Sequence, residues 1–345
     1  MNYIKPQRLK EGDTVAIVSP SWGGPSVFPA VYEHGLKVLL AWGLNIKEFP
    51  TARMDAAFLR NNPRIRAQDI NDAFADTEVK AIFASIGGDD SVRILPFLDK
   101  KIIASNPKIL MGYSDTSTLH VFANLQGLAS FYGPSIMAGF SQMNNLPVSF
   151  KNHVREMLFE PKEYYEYKPY QTYCDGYPDW ANKENLGKVN PMKADDGWHW
   201  LQGKATVQGE LFGGCIEVFE MMKATEFWPA QEFWKDKIFF LETSEEKPSI
   251  HYIDHVLRNY GMLGVYDTIS GFIFSRARDY SDEEKKELEE KIASIIANEF
   301  GKPDLSIIAN FDVGHTDPQV VLPLGVKAEI DCETKKIRLV ESWLQ

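Results

Sequence analysis

Several signatures are missing from this sequence. It has three cysteines in 345 residues, Cys174, Cys215 and Cys332, far apart and with no CxxC pair. That count and spacing indicate neither a disulfide framework nor a thiolate zinc site. No apolar run reaches 18 residues, so no membrane-spanning helix is expected. The opening stretch MNYIKPQRLKEGDTVAIVSP lacks the apolar segment of about 7–15 residues that a secretory signal needs. Basic residues are in the minority, 37 against 48 acidic, for a net charge of −11. That balance argues against nucleic acid or an anionic membrane as the main partner. Neither GxxxxGK[ST] nor GxGxxG occurs, so the usual phosphate-cradling loops are absent. Internal repeats and low-complexity segments are lacking too. A cytoplasmic protein without metal or cofactor is the expectation.

What is present begins with alternation. Over the first 160 residues, short apolar strands ending at 18–20, 48–50, 84–86, 112 and 132 alternate with helical segments. That order predicts parallel strands with helices on both faces, in an N-terminal domain at 1–160. Such sheets bind ligands beyond the carboxyl ends of their strands. The loops SWGGPS, SIGGDD and GYSD all follow strand ends, so they should face one crevice. Residues 161–204 break the pattern. This aromatic-rich connection is full of Tyr, Trp, Pro and Gly, and long irregular connections are often functional. A mixed α/β domain is expected at 205–345, ending in a hairpin.

The turn GYSD raises a question of chemistry. Ser114 stands where a strand meets a helix, and a serine there is most simply an N-cap. The same position exposes a side chain at the sheet edge, beside free helix N–H groups. An oxyanion formed at Ser114 could take the N–H of Asp115 and one from the Gly87–Gly88 pair that ends a neighbouring strand. The nucleophile-elbow pattern GxSxG is incomplete, because Thr116 replaces the second glycine. A serine needs a base. His34, His120 and His153 read as packed or solvated helix residues. His251 and His255, four apart, read as a surface pair, and His199 as a ligand contact. His315 follows an apolar strand in the tight loop DVGHTDP, a sensible place for a general base. A base of this kind needs a carboxylate to fix its tautomer. Glu242 is the first acidic residue at the end of the strand KIFFLE, with Glu245 and Glu246 as alternatives. Asp90, before SVRILPF, reads as a helix cap.

Five segments together carry a resemblance: SIGGDDSVRILPFLD, ILMGYSDTSTLH, GELFGGCIEVFE, FLETSEEKPSI and ANFDVGHTDPQVVLPLG. The chain resembles peptidase family S66, the serine carboxypeptidases that include LD-carboxypeptidases and the MccF-like microcin C self-immunity proteins. The resemblance implies an α/β fold: an N-terminal parallel-sheet domain of the flavodoxin or class I amidotransferase type, plus a smaller mixed α/β C-terminal domain. It implies Ser114 as nucleophile, His315 as base and Glu242 as its orienter, with backbone N–H of Gly88 and Asp115 as oxyanion hole and Gly87 beside it. It implies no cofactor, a homodimer, and a small peptide or aminoacyl-nucleotide substrate cleaved through an acyl-enzyme. Within the family, the stretch around DGWHWLQG looks MccF-like, with Trp198 or Trp200 stacking on a base and Lys247 meeting an anionic group. Cys215 departs from the asparagine that often follows the glycine pair. Muropeptide LD-carboxypeptidase activity releasing D-alanine is the alternative. An α/β-hydrolase-type esterase and a non-catalytic binding protein are rival readings.

Overall fold

The computed structural model describes residues 3–345. Its first sheet is built from β1 (Thr14–Val18), β2 (Asn45–Glu48), β3 (Val79–Ala84), β4 (Ile109–Gly112) and β5 (Ser130–Tyr132). These run parallel in the order β2-β1-β3-β4-β5. This is the flavodoxin-like order, whose switch point lies between β1 and β3. The loops after those two strands diverge there and leave a crevice, and the β4 loop opens beside it.

The segment after α/β alternation ends is not structureless. It supplies β6 (Tyr165–Glu166), β7 (Thr172–Asp175), β8 (Lys193–Ala194) and β9 (His199–Gln202). The second sheet centres on four parallel strands, β10 (Thr206–Cys215), β11 (Lys237–Glu242), β12 (Gly271–Ser275) and β13 (Ser306–Phe311). β14 (Thr316–Asp317) and β15 (Leu322–Leu324) follow, then the hairpin β16 (Lys327–Asp331) and β17 (Lys336–Leu339). The sheet order is β6-β17-β16-β10-β11-β12-β13-β9, so both of its edge strands come from the aromatic-rich connection.

The two sheets are joined in two ways. First, β15 crosses back and pairs antiparallel with β5, setting Leu322 opposite Tyr132. Second, alternate residues of each strand enter two shared cores, as the two-residue period of a doubly covered sheet requires. Phe83, Met111, Ile238 and Phe240 lie in one core, and Ile82, Leu110, Phe239 and Leu241 in the other. The carboxyl ends of β4, β11 and β13 therefore converge on one cleft. Among the described residues, no helix is long and apolar enough to cross a membrane, and no group of His, Cys, Asp or Glu is arranged to hold a metal ion.

Candidate functional site

Ser114 lies two residues beyond β4, in the turn after it, with φ at +60°. A non-glycine residue in this left-handed region costs about 1–2 kcal/mol. The N-cap positions of the turn Ser114–Thr116 and of the helix Ser117–Leu125 fall on Tyr113 and Thr116, and Ser114 Oγ points into the cleft toward His315. The strain is opposed by hydrogen bonds. Ser114 N–H donates to the Tyr132 hydroxyl at 3.0 Å, and Ser114 C=O accepts from Ser117 Oγ at 2.6 Å. A Cβ built on Gly87 would lie 3.0 Å from Ser114 Oγ and 3.5 Å from Asp115 N. Glycine there keeps open the space between the hydroxyl and that N–H. Gly88 follows, its backbone packed on Ser21 and Trp22.

Asp115 braces this glycine loop through its carboxylate. Oδ2 accepts the backbone N–H groups of Asp90 and Ser91, at 3.1 and 2.8 Å. Asp90 stands at the N-cap position of Ser91–Phe97, as the sequence suggested, but its side chain makes no cap bond. Its carboxylate instead takes a two-pronged bond from the fully buried Arg66, whose guanidinium needs a counter-charge, and a third from Arg93. Burial pushes the Asp115 pKa up, against the nearby Ser21 hydroxyl and the hydrogen bond from Ser91 N–H.

The second sheet brings two titratable groups to Ser114. His315 Nε2 is 3.0 Å from Ser114 Oγ, and His315 Nδ1 is 2.6 Å from Glu242 Oε2. Glu242 is completely buried, and its other oxygen accepts the Tyr132 hydroxyl at 2.5 Å. Gly314 (φ +93°) permits the close approach, because a Cβ on it would fall 2.4 Å from Glu242 Oε2. The loop carrying His315 is anchored at Asp312, a buried carboxylate paired with buried Arg276 at 2.5 Å. Burial opposes charge on His315, but Glu242, Glu245 and Glu217 outweigh it and hold its pKa above the ordinary value. Glu245 Oε2 is 3.2 Å from Nε2, on the side of the ring facing Ser114, so it is not the group that holds Nδ1.

A cavity of about 350 Å³ opens over Ser114 and His315. Its walls include Gly87, Gly88, Trp22, Phe28, Tyr113, Tyr177, Trp180, Glu245 and Arg278. Trp180 stacks on Tyr177 at 5.5 Å and meets Phe28 edge-on. The Tyr177 hydroxyl is fixed by Asp317 Oδ2 at 2.5 Å.

Three expected substrate contacts lie outside this cavity. Trp198 turns inward, its indole N–H donating to Asp312 Oδ2 at 2.7 Å and its ring against Phe311. Trp200 sits on β9 opposite Ile308 and packs on the core. Lys247 is exposed and paired with Glu284 at 2.9 Å, in the capping box of the helix Asp282–Ser294. The aromatic and cationic walls come from Trp180 and Arg278 instead. Trp180 was legible only as one more aromatic in the connection, and Arg278 as one charge after β12. Tyr132 was hidden in an apolar strand. His199, expected at a ligand, is held by Glu289 and Asp196, which raise its pKa to about 9 against its desolvation. His251 and His255 are an exposed pair with rings 4.2 Å apart.

Comparisons with known proteins agree along the whole chain. A family model for the LD-carboxypeptidase N-terminal domain (peptidase S66) matches residues 15–133, and one for the LD-carboxypeptidase C-terminal domain matches 208–330. The microcin C7 self-immunity protein MccF of Escherichia coli is 26% identical over 339 residues, covering 97% of this chain and 95% of that protein. The Bacillus subtilis protein named "Probable murein peptide carboxypeptidase" is 27% identical over 339 residues, covering 97% and 93%. A solved structure of MccF in complex with aspartyl sulfamoyl adenosine superposes with a TM-score of 0.85 at 25% identity, covering 99% of this chain and all of the other.

Proposed function

The chain belongs to the LD-carboxypeptidase family, peptidase S66, and on that premise we propose that it is a serine-dependent amidase of the MccF-like kind. Ser114 Oγ attacks an amide carbonyl while His315 Nε2 takes its proton. Glu242 keeps Nδ1–H in place and favours the imidazolium that forms. Backbone N–H groups of Gly88 and Asp115 receive the oxyanion. The proton returns to the leaving nitrogen, and water, activated by the same histidine, hydrolyses the acyl-enzyme. The observation that carries this reading is the position of His315, 3.0 Å from Ser114 Oγ and 2.6 Å from Glu242.

The substrate we infer is a small peptide or an aminoacyl-nucleotide. The aromatic wall of Trp22, Phe28, Tyr177 and Trp180 suits a planar base, and Arg278 suits an anionic linkage. Similarity to MccF, solved with aspartyl sulfamoyl adenosine, supports the nucleotide version. Similarity to the Bacillus murein peptide protein favours a second version, release of D-alanine from a muropeptide tetrapeptide. An N-terminal domain at 1–160, a connection at 161–204 and a C-terminal domain at 205–345 belong to this proposal. So do a cytoplasmic location and a homodimer, which fractionation and gel filtration test. Mass spectrometry on both substrates decides between the versions: free amino acid plus an adenosine sulfamide or sulfamate, or free D-alanine. Ser114→Ala should lower kcat by about 10⁴-fold or more while the fold persists. Turnover at the wild-type rate in that variant ends the proposal.

A further inference from the structure

Ser114 is held at both backbone polar groups by side chains that reach the other sheet. On one side, Ser117 Oγ donates to Ser114 C=O and accepts Cys215 N–H from the end of β10, at 3.0 Å. On the other, the Tyr132 hydroxyl accepts Ser114 N–H and must place its single proton elsewhere. The acceptor within reach is Glu242 Oε1, at 2.5 Å. An ionised carboxylate only accepts, so the direction of both bonds is settled by chemistry. Tyr132 is completely buried. Its ring is locked edge-on against Phe240 of β11 and tilted against His120. Leu322 stands opposite it on β15, the strand that leaves the His315 loop.

We propose that Tyr132 is a positioning residue of the hydrolysis, its hydroxyl locking the strained turn at Ser114 to the carboxylate behind the base. The inference rests on the Ser114–His315–Glu242 reading above. Without the hydroxyl, Ser114 N–H loses its acceptor and Glu242 Oε1 its donor. The carboxylate can then rotate about its remaining bond to His315, and the turn can relax from its left-handed conformation. A displacement near 1 Å of an attacking atom costs roughly 100-fold in rate.

The carboxylate would also carry more of its negative charge toward His315. The charged groups facing that ring are Glu242, Glu245, Glu217 and Asp317, with Tyr113 edge-on at 5.0 Å and Arg278 in the same cavity. Those facing the Tyr132 hydroxyl are Glu242 and Cys215. Loss of the donor on Oε1 therefore favours the imidazolium, and the acid limb of kcat/KM moves to higher pH. Burial and Glu242 keep the Tyr132 hydroxyl protonated throughout.

The test is the full chain carrying Tyr132→Phe, with Ser114→Ala beside it, assayed on whichever of aspartyl sulfamoyl adenosine and a muropeptide tetrapeptide the wild type cleaves. The expected result is kcat lowered about 10- to 100-fold, KM within about twofold, and an acid limb moved upward. A folded Tyr132→Phe protein with wild-type kcat, or with an unmoved acid limb, overturns the inference. If Tyr132→Phe does not fold, 3-fluorotyrosine at position 132 replaces it. Its more acidic hydroxyl is the stronger donor, so the limb should move to lower pH, and an unmoved limb overturns the inference. Failure of the underlying reading looks different: Ser114→Ala remains active, or the wild type cleaves neither substrate.

Discussion

The two sheets equip the cleft in different ways. The first contributes mostly backbone: the Gly87–Gly88 turn, the left-handed Ser114 and the N–H of Asp115, with the Ser114 hydroxyl among them. The second contributes charge: Glu242 at the end of β11, Arg278 after β12 and His315 after β13. One side therefore sets geometry and the other sets protonation. If that division holds, changes on the first sheet should alter rate and leave the pH profile alone. Changes on the second should move the profile. Tyr132 stands across the division, since it belongs to β5 and binds Glu242.

The hardest test of the geometric side is Gly87→Ala. The added methyl would sit 3.0 Å from Ser114 Oγ, in the space a tetrahedral carbon needs. The methyl would also fall 2.9 Å from Ser114 Cβ, so the turn must shift. We expect kcat/KM to fall roughly 100-fold, with a lowered melting temperature and an unchanged acid limb. A shifted limb would show that the first sheet also controls protonation, and would break the comparison.

The division also explains what could be read from the sequence. Glu242 and His315 each follow a run of apolar strand residues, so a polar group at the strand's end stands out. Ser114 was legible as a strand-to-helix turn residue, most simply a cap, and only the resemblance to peptidase family S66, carried by the neighbouring strand-end loops, turned the expectation toward a nucleophile. The parallel direction of the strands in the first sheet followed from β/α alternation, while their order did not. Tyr132 was not legible, because SFY in an apolar strand reads as core and only the fold brings its hydroxyl to Glu242. The return of β15 to β5 was equally hidden, since three residues carry no pattern that says which sheet they join. The placing of Trp180 rather than Trp198 or Trp200 in the cavity wall was hidden for a related reason. Composition showed that the connection is aromatic, but Trp198 and Trp180 differ in burial partners, not in sequence context.

That difference yields a paired test within the cavity wall. Trp180→Ala removes an aromatic face from the cavity and should raise KM about tenfold for a nucleoside-bearing substrate. Trp198→Phe keeps the packing on Phe311 but removes the indole N–H from buried Asp312. It should cost about 1–3 kcal/mol of stability in chemical denaturation and leave KM unchanged. If KM instead responds to Trp198 and not to Trp180, the substrate lies elsewhere than proposed.

The smallest effect isolates charge from shape. Glu245 stands at the rim with a side chain 59% exposed, and its Oε2 is 3.2 Å from His315 Nε2. It helps to hold the imidazolium, as Glu242 does from the buried side. A base whose pKa is raised must lose its proton before it can work, so kcat/KM should fall on acidification from above the ordinary histidine range. Glu245→Gln keeps the shape and removes the charge. It also leaves Arg278, whose Nη1 is 3.9 Å away, without that counter-charge. Both changes disfavour the imidazolium, so the acid limb should move to lower pH, by a few tenths of a unit up to about one unit for an exposed carboxylate. Salt separates this contribution from that of Glu242. Raising ionic strength screens an exposed charge and spares a buried one. The wild-type limb should therefore drift toward the Glu245→Gln limb as salt rises, while the variant's limb drifts less. A limb that stays where it is in the variant, or one equally salt-sensitive in both proteins, would place the control of His315 entirely in the buried carboxylate.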